Sequence, residues 1–401
     1  MNEQRLLVVY HELPYPINHG GRLDVWRRLE ALATEGVKIH LVAWKNEHLG
    51  EVEPERDSPF WAVINSLTLF PEKKQLAFAG KLFCLPTYAR SRLLNEREWR
   101  RVCADAQAFR PRAILLEGPF GYPVAKGLSK HLGIKYMYRS HNVESRYAKL
   151  MLAKSKGLRA KTKACLNIFG IERLELNIIR GAYRYFDISL EDLGYWQKQG
   201  MKHGEWLPPV VLREWAQQVG AENTWSPSFD VGYLGNLYQP NNVHGVLWFL
   251  QEVVPVLRQK VPGIKGFIAG SRPSEAVLAA ARFAEWTLIS DPTDTVSVIR
   301  NARVLINPVF AGSGVNTKCI EMLFSPAGLV ATPIALNGLP NEAKACFGVT
   351  DQPEEFASLI CERIKGPRRD EFILSRDRAR ACYGVAQLES LRAVIGAMDV
   401  T

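Results

Sequence analysis

Residues 308–321 read PVFAGSGVNTKCIE and continue the apolar run ARVLINP (302–308), which predicts a buried strand. Glycines, a serine and an asparagine break that run, and a helix is predicted to start near Val315 to Thr317. Gly312 and Gly314 let the backbone pass close to a ligand, while the helix start offers unpaired N–H groups and a positive dipole end. Phosphate suits such a surface. Lys318 adds a mobile positive charge, and Glu321, one turn further on, is placed to accept hydrogen bonds from a vicinal diol such as a ribose. On spacing alone, a plain loop followed by a surface glutamate is an equal alternative.

The same rhythm runs through the chain twice. Short apolar runs at 5–14, 38–44, 112–118, 134–141 and 185–190 end in turn or polar residues, and helical patterns such as LDVWRRLEALATEG (23–36) lie between some of them. A second set follows at 230–235, 264–270, 285–290, 303–308 and 327–333. Such alternation predicts an α/β protein with two parallel sheets, each covered by helices on both faces. The expected units are residues 1–208 and 230–375. Between them, from Pro208-Pro209 through AENTWSPS (221–228), the pattern lapses, so 209–229 is expected to be a linker. The final segment, 376–401, is expected to form a helix with Ala379, Tyr383, Leu388, Leu391 and Ile395 as its apolar stripe.

With 401 residues, 47% hydrophobic and 23% charged, the chain has enough apolar material for two cores, and no long disordered part is expected. No apolar stretch reaches the roughly 18 residues of a membrane span. The start, MNEQRLLVVY, lacks the layout of a secretory signal, so a cytoplasmic location is expected. Seven scattered cysteines without CxxC spacing fit reduced thiols. The net charge of +10 is uneven: residues 1–200 hold 32 Lys and Arg against 21 Asp and Glu, and residues 201–401 hold 19 against 20. The densest segment, 146–163, has seven basic residues and no acid, interleaved with apolar ones. It suits either an anionic membrane surface or a solvated helix face.

In open parallel sheets, ligands gather at the carboxyl ends of strands, so the polar turns there are the places to look for chemistry. No GxGxxG follows the first strand, which argues against a nicotinamide-dependent oxidoreductase. The basic half matches no recognised RNA- or DNA-binding module, and no nucleic-acid partner is expected; a non-catalytic polyanion binder is the remaining rival class. The carboxylates of DPTD (291–294) lack further ligands at metal spacing.

The stretch GSGVNTKCIEMLFSPAGLVATPIALNGL (312–339) resembles the nucleotide-sugar-binding motif of GT-B glycosyltransferases, specifically the large retaining family 4. That family has two glutamates separated by seven residues. Here the second is Glu321, and the first falls on Ser313, so the position that contacts donor-sugar hydroxyls carries only a hydroxyl. A subgroup with GSG followed by a lysine is the most similar. YLGNLYQPNNVHGVLWFLQEVVPVLRQKVP (233–262) resembles the first strand, loop and helix of the donor domain. Asn236 and Asn242 stand where most members carry an Arg and a Lys on the diphosphate, which leaves Lys318 and helix N-termini as its main contacts. IAGSRPS (268–274) and the segment 289–308 resemble the next strand-end loops, near which the base lies, with Gly270 and Asp291 as the residues there.

The first half resembles the acceptor domain. Gly20 and Gly21 precede a helix, as in the family's glycine-rich loop, though a Gly-Gly pair is as often a turn. His141 follows a strand, where family members hold a histidine bonded to the transferring sugar; the alternative is a helix-capping role shared with Asn142. Glu117 and Tyr122 are the expected acceptor contacts. The resemblance implies two Rossmann-like domains facing across a cleft, the first binding acceptor and the second donor, with the C-terminal helix crossing back to the N-terminal domain. It further implies retention of configuration, a UDP- or GDP-sugar co-substrate and no metal or other cofactor. The implied donor contacts are Gly20, Gly21, Asn236, Gly270, Asp291, Ser313, Gly314, Val315, Asn316, Thr317, Lys318 and Glu321, with His141 orienting the sugar. The basic first half, with LAFAGKLFCLPTYARSRLL (76–94), points to a lipid-linked saccharide at the inner membrane face and a role in cell-surface polysaccharide or lipopolysaccharide assembly; a soluble small-molecule acceptor is the alternative.

Overall fold

A computed structural model describes all residues except 1–2, 18–19, 47–49, 74–84, 155–156, 158–160, 162–169, 313, 366–369 and 398–401. The chain forms two compact units, one of residues 1–210 with 386 onward, the other of residues 211–385.

The first unit is built on seven strands: β1 Arg5–Tyr10, β2 Lys38–Lys45, β3 Ser66–Pro71, β4 Ala113–Glu117, β5 Tyr136–Ser140, β6 Tyr185–Asp187 and β7 Gly204–Trp206. All pair in parallel, in the order β3-β2-β1-β4-β5-β6-β7. Helices cover both faces of such a sheet, so its inner strands are buried throughout; β4 and β5 have no exposed residue. The order reverses between β1 and β4, and a topological switch point lies there.

The second unit has six parallel strands: β8 Phe229–Leu234, β9 Gly266–Gly270, β10 Thr287–Ser290, β11 Ala302–Asn307, β12 Gly328–Ala331 and β13 Gly348–Val349, in the order β10-β9-β8-β11-β12-β13. Side chains alternate between faces. Thus Val304 and Ile306 join one buried cluster and Leu305 the other, and β11 is held from both sides. Its switch point lies between β8 and β11.

Two expectations about connections are corrected. The supposed linker contains a helix, Arg213–Gly220, whose Val219 is buried with Phe267 and Leu323 in the second unit. Arg300 fastens that helix's end by donating to the carbonyls of Gln218, Val219 and Ala221. The C-terminal helix is two helices: Asp370–Ala381 belongs to the second unit, with Ala379 and Tyr383 in its core, and Glu389–Ala397 belongs to the first, where Arg392 pairs with Glu35 at 3.0 Å. Among the described residues no helix is long and apolar enough to cross a membrane.

Candidate functional site

In the second unit the loop after β11 leads to the helix Thr317–Phe324. Gly314 adopts φ +68°, the left-handed turn that reverses the chain before the helix. Asn316 is the N-cap, its side-chain oxygen accepting from the Lys318 N–H at 3.2 Å, while its carbonyl accepts from Cys319 N. Asn307, at the end of β11, donates to Cys319 Sγ at 3.0 Å, and burial pushes that thiol up to about 12, so it stays neutral. The Thr332 hydroxyl donates to the Val309 carbonyl, tying the Ala-Thr turn after β12 to this loop. From the far end, Arg376 donates to the carbonyls of Ser325 and Ala327, and Arg380 to those of Leu323 and Phe324. Both guanidinium groups sit at the negative end of the helix dipole.

Lys318 reaches across the switch point toward β8. Its Nζ donates to Asn242 Oδ1 at 2.8 Å and to Tyr233 Oη at 3.1 Å, over the Tyr233 ring. Both partners are neutral, and no described carboxylate forms an ion pair with it. Burial lowers its pKa to about 8, opposed only weakly by Cys319 and Glu321. A partly buried ammonium with no counter-ion is costly, and an anion arriving there removes the cost. Asn242 also donates to the Asn236 carbonyl at 2.8 Å, and the Asn236 side-chain oxygen is buried without a partner.

Gly270 ends β9 where backbones touch: a Cβ there would lie 1.6 Å from the Gly235 carbonyl oxygen. Asp291, with φ +47°, accepts from Arg272 N at 3.0 Å while its own N–H donates to Gly270 O. Its carboxylate therefore shapes the neighbouring turn. Arg272 stacks its guanidinium 3.6 Å from the Tyr238 ring centroid in the same loop group. Gly314, Val315, Asn316, Thr317, Lys318 and Glu321 thus share one loop and helix; Ser313 lies outside the described residues.

In the first unit, four charged side chains are buried together under the strand ends. Arg28, on the helix Gly20–Thr34, donates to Glu117 through Nε (2.8 Å) and Nη2 (3.1 Å) and to Asp24 through Nη2 (3.1 Å). Arg139 on β5 donates to Asp24 at 2.9 Å and to the Leu207 carbonyl. Two cations and two anions balance. Burial alone would raise the pKa of Glu117, but Arg28, His141 and Arg139 together hold it down to about 2. His141, just past β5, places Nε2 3.0 Å from Glu117 Oε2. His11, just past β1, is pushed down to about 3 by burial, with Glu12 opposing and Arg92 and His141 reinforcing the shift, and so is neutral. Gly20 and Gly21 open the helix that carries Asp24 and Arg28.

The polar end of β4 turns inward, and other expected contacts lie elsewhere than at a strand end. Glu117 is not an acceptor contact, being 0% exposed and committed to Arg28 and His141. Tyr122 is packed in the core against Tyr136 and is no strand-end contact either. Arg92, inside the basic stretch 76–94, is buried and donates to Glu72 and to the His11 carbonyl, while 76–84 lie outside the described residues. In the segment 146–163, Arg146 and Lys149 pair with Glu191 and Glu172, and 155–156, 158–160 and 162–163 are outside the described residues. Asp24, Arg28 and Arg139 were not anticipated. The available signal was Asp24 and Arg28 four apart on a helix following the first strand, and a lone arginine inside an apolar strand. Among the described residues no group of three or more His, Cys, Asp and Glu is arranged to hold a metal ion.

No protein-family profile matches the chain. Sucrose-phosphate synthase of Thermosynechococcus elongatus superposes with a TM-score of 0.68 at 14% identity, over 99% of this chain and 100% of that one. Anabaena HepE in complex with UDP gives 0.62 at 11%, over 98% of both chains. The fold is GT-B. WaaG, a glycosyltransferase involved in lipopolysaccharide biosynthesis, shares the GT-B fold with a TM-score of 0.60 at 12% identity, over 98% of this chain and all of that one. In sequence, an uncharacterized 44.6 kDa protein in the cps region of Klebsiella pneumoniae is 26% identical over 349 residues, 83% of this chain and 84% of its own length.

Proposed function

We propose that the protein is a retaining glycosyltransferase that moves a sugar from a UDP- or GDP-sugar to a saccharide acceptor, lipid-linked, in cell-surface polysaccharide assembly. The second unit takes the donor and the first the acceptor. The observation that carries this reading is Lys318: a cation whose hydrogen-bond acceptors among the described residues are both neutral, near the N-terminus of a helix and at the switch point of a parallel sheet. A diphosphate supplies the missing anion. Asn316 already occupies the Lys318 N–H, so the donors left for phosphate oxygens are the main-chain amides between Gly314 and Thr317 together with the Lys318 ammonium. Glu321, one turn further along, accepts from the ribose hydroxyls.

In this reading the leaving nucleoside diphosphate is stabilised as its negative charge grows by donors fixed before the reaction. One such donor contributes about 3–4 kcal/mol in comparable sites. The acceptor hydroxyl attacks on the face the diphosphate leaves, passing its proton to the departing phosphate oxygen, and His141 holds a sugar hydroxyl. Support for the biological setting comes from the relative in a cps region and from the fold shared with WaaG. A thermal-shift panel of UDP, GDP, ADP and NAD tests the core of the proposal. A nucleotide at 100 times its Kd stabilises by about 2.7 kcal/mol. UDP or GDP alone is expected to raise the midpoint; a rise with NAD alone, or with none of the four, refutes it.

A further inference from the structure

The buried charges of the first unit do more than balance one another. Glu117 is gripped through both carboxylate oxygens by Arg28, which is itself fixed by Asp24, and Asp24 is fixed by Arg139 on the strand leading to His141. The carboxylate therefore has no freedom to rotate. Its Oε2 faces His141 Nε2 at 3.0 Å. An ionised carboxylate only accepts, so the hydrogen of that bond sits on Nε2. The other ring nitrogen, Nδ1, bonds to no described residue, yet is not among the buried unpartnered atoms, so solvent reaches it. It lies beside the turn after β4, where a Cβ on Gly118 would be 3.9 Å away, and the same turn is flanked by His11 Nδ1 at 3.2 Å.

We infer that Glu117, locked by Arg28, is a positioning residue that holds His141 as the Nε2–H tautomer and presents Nδ1 as a hydrogen-bond acceptor for a substrate hydroxyl. The role of the hydroxyl rests on the glycosyltransferase reading; the tautomer does not. Without Glu117 a neutral imidazole is free to rotate and exchange tautomers, and some of its states offer a donor where an acceptor is needed. Groups near the ring are Glu117 at the end of β4, Asp24 on the helix Gly20–Thr34, Tyr10 and His11 at the end of β1, and Glu144 at the start of the following helix. Burial keeps His11 neutral and, together with Glu12, holds Tyr10 well above its usual range.

The test is nitrogen NMR of protein carrying 15N-histidine, with the His141 signals identified by their loss in His141→Gln. At pH 8.5 the wild type is expected to show a protonated Nε2 and an unprotonated Nδ1; the reverse pattern overturns the inference, whatever the protein's reaction. In Glu117→Gln the tautomer preference is expected to weaken. With UDP-glucose or GDP-mannose, whichever is hydrolysed, E117Q is expected to lower kcat at least tenfold, with KM changed less than twofold and UDP affinity unaltered. Wild-type kcat in E117Q overturns the inference. Should E117Q fail to fold, the wild-type spectrum still decides. If neither nucleotide binds the wild type, the functional reading falls while the tautomer result stands.

Discussion

Lys318 offers a sharp electrostatic prediction. Its ammonium is held by Asn242 and Tyr233, with no ion-paired carboxylate among the described residues, and burial brings its pKa to about 8. A diphosphate binds the charged form, so affinity tracks the protonated fraction. That fraction is about 0.9 at pH 7 and about 0.1 at pH 9, which makes the Kd for UDP about tenfold weaker at pH 9. The sign is set by the direction of the shift: charge is present below pH 8 and lost above it. Of the side chains beside the ammonium, burial holds Tyr233 well above its usual range and Cys319 stays protonated to about 12, so neither titrates in this window, and the UDP phosphates are largely ionised from pH 7 upward. Calorimetry in buffers of different ionisation enthalpy should also detect proton uptake on binding near pH 8. Lys318→Met removes a charge-assisted bond of about 1.5–3 kcal/mol, which corresponds to about a 10- to 150-fold weaker Kd at pH 7, and it should abolish the pH slope. A wild-type Kd that is flat from pH 7 to 9, or an unchanged Kd in the variant, refutes the assignment of Lys318 to phosphate.

Tyr233→Phe deletes one of the two acceptors of the ammonium, so its pKa should fall further and the midpoint of the UDP pH profile should move down by about half to one pH unit. Gly270→Ala places a methyl 1.6 Å from the Gly235 carbonyl and forces the ends of β8 and β9 apart; a loss of about 1–3 kcal/mol in the unfolding of the second unit is expected, and an unchanged denaturation midpoint contradicts the contact. Because fixed donors are proposed to carry the leaving-group charge, UDP or GDP release from a nucleotide sugar should persist in excess EDTA, and loss of turnover restored by a divalent cation would oppose that account.

Ten strands were legible as short apolar runs; nine of them lie inside their sheets, and the tenth, β10, is a partly exposed edge strand that still carries Leu288 and Ile289. β3, β7 and β13 were not. β3 and β7 carry partly exposed residues and end at a sheet's margin, and β13 is only two residues long. The loop and helix from Gly314 to Glu321 were legible because glycine, asparagine and lysine have local reasons to stand at a helix start. Glu117 was misread because one sequence does not tell whether a carboxylate at a strand end points to the loops or under the helices; its partner Arg28 is 89 residues away. The lapse at 209–229 looked like a linker because its polar, Pro-containing stretch hides a short helix anchored by Val219 and Arg300.

Arg376 and Arg380 clasp the trailing end of the helix that begins at Thr317. A helix is stiff along its axis, so a clamp at one end fixes the other. The leading amides cannot slide away from, or follow, whatever approaches them, so the two arginines would govern a ligand bound there without meeting it. Removing the chain from residue 370 onward would therefore blur the end of the second unit proposed to face the nucleotide while leaving every residue proposed to line it intact.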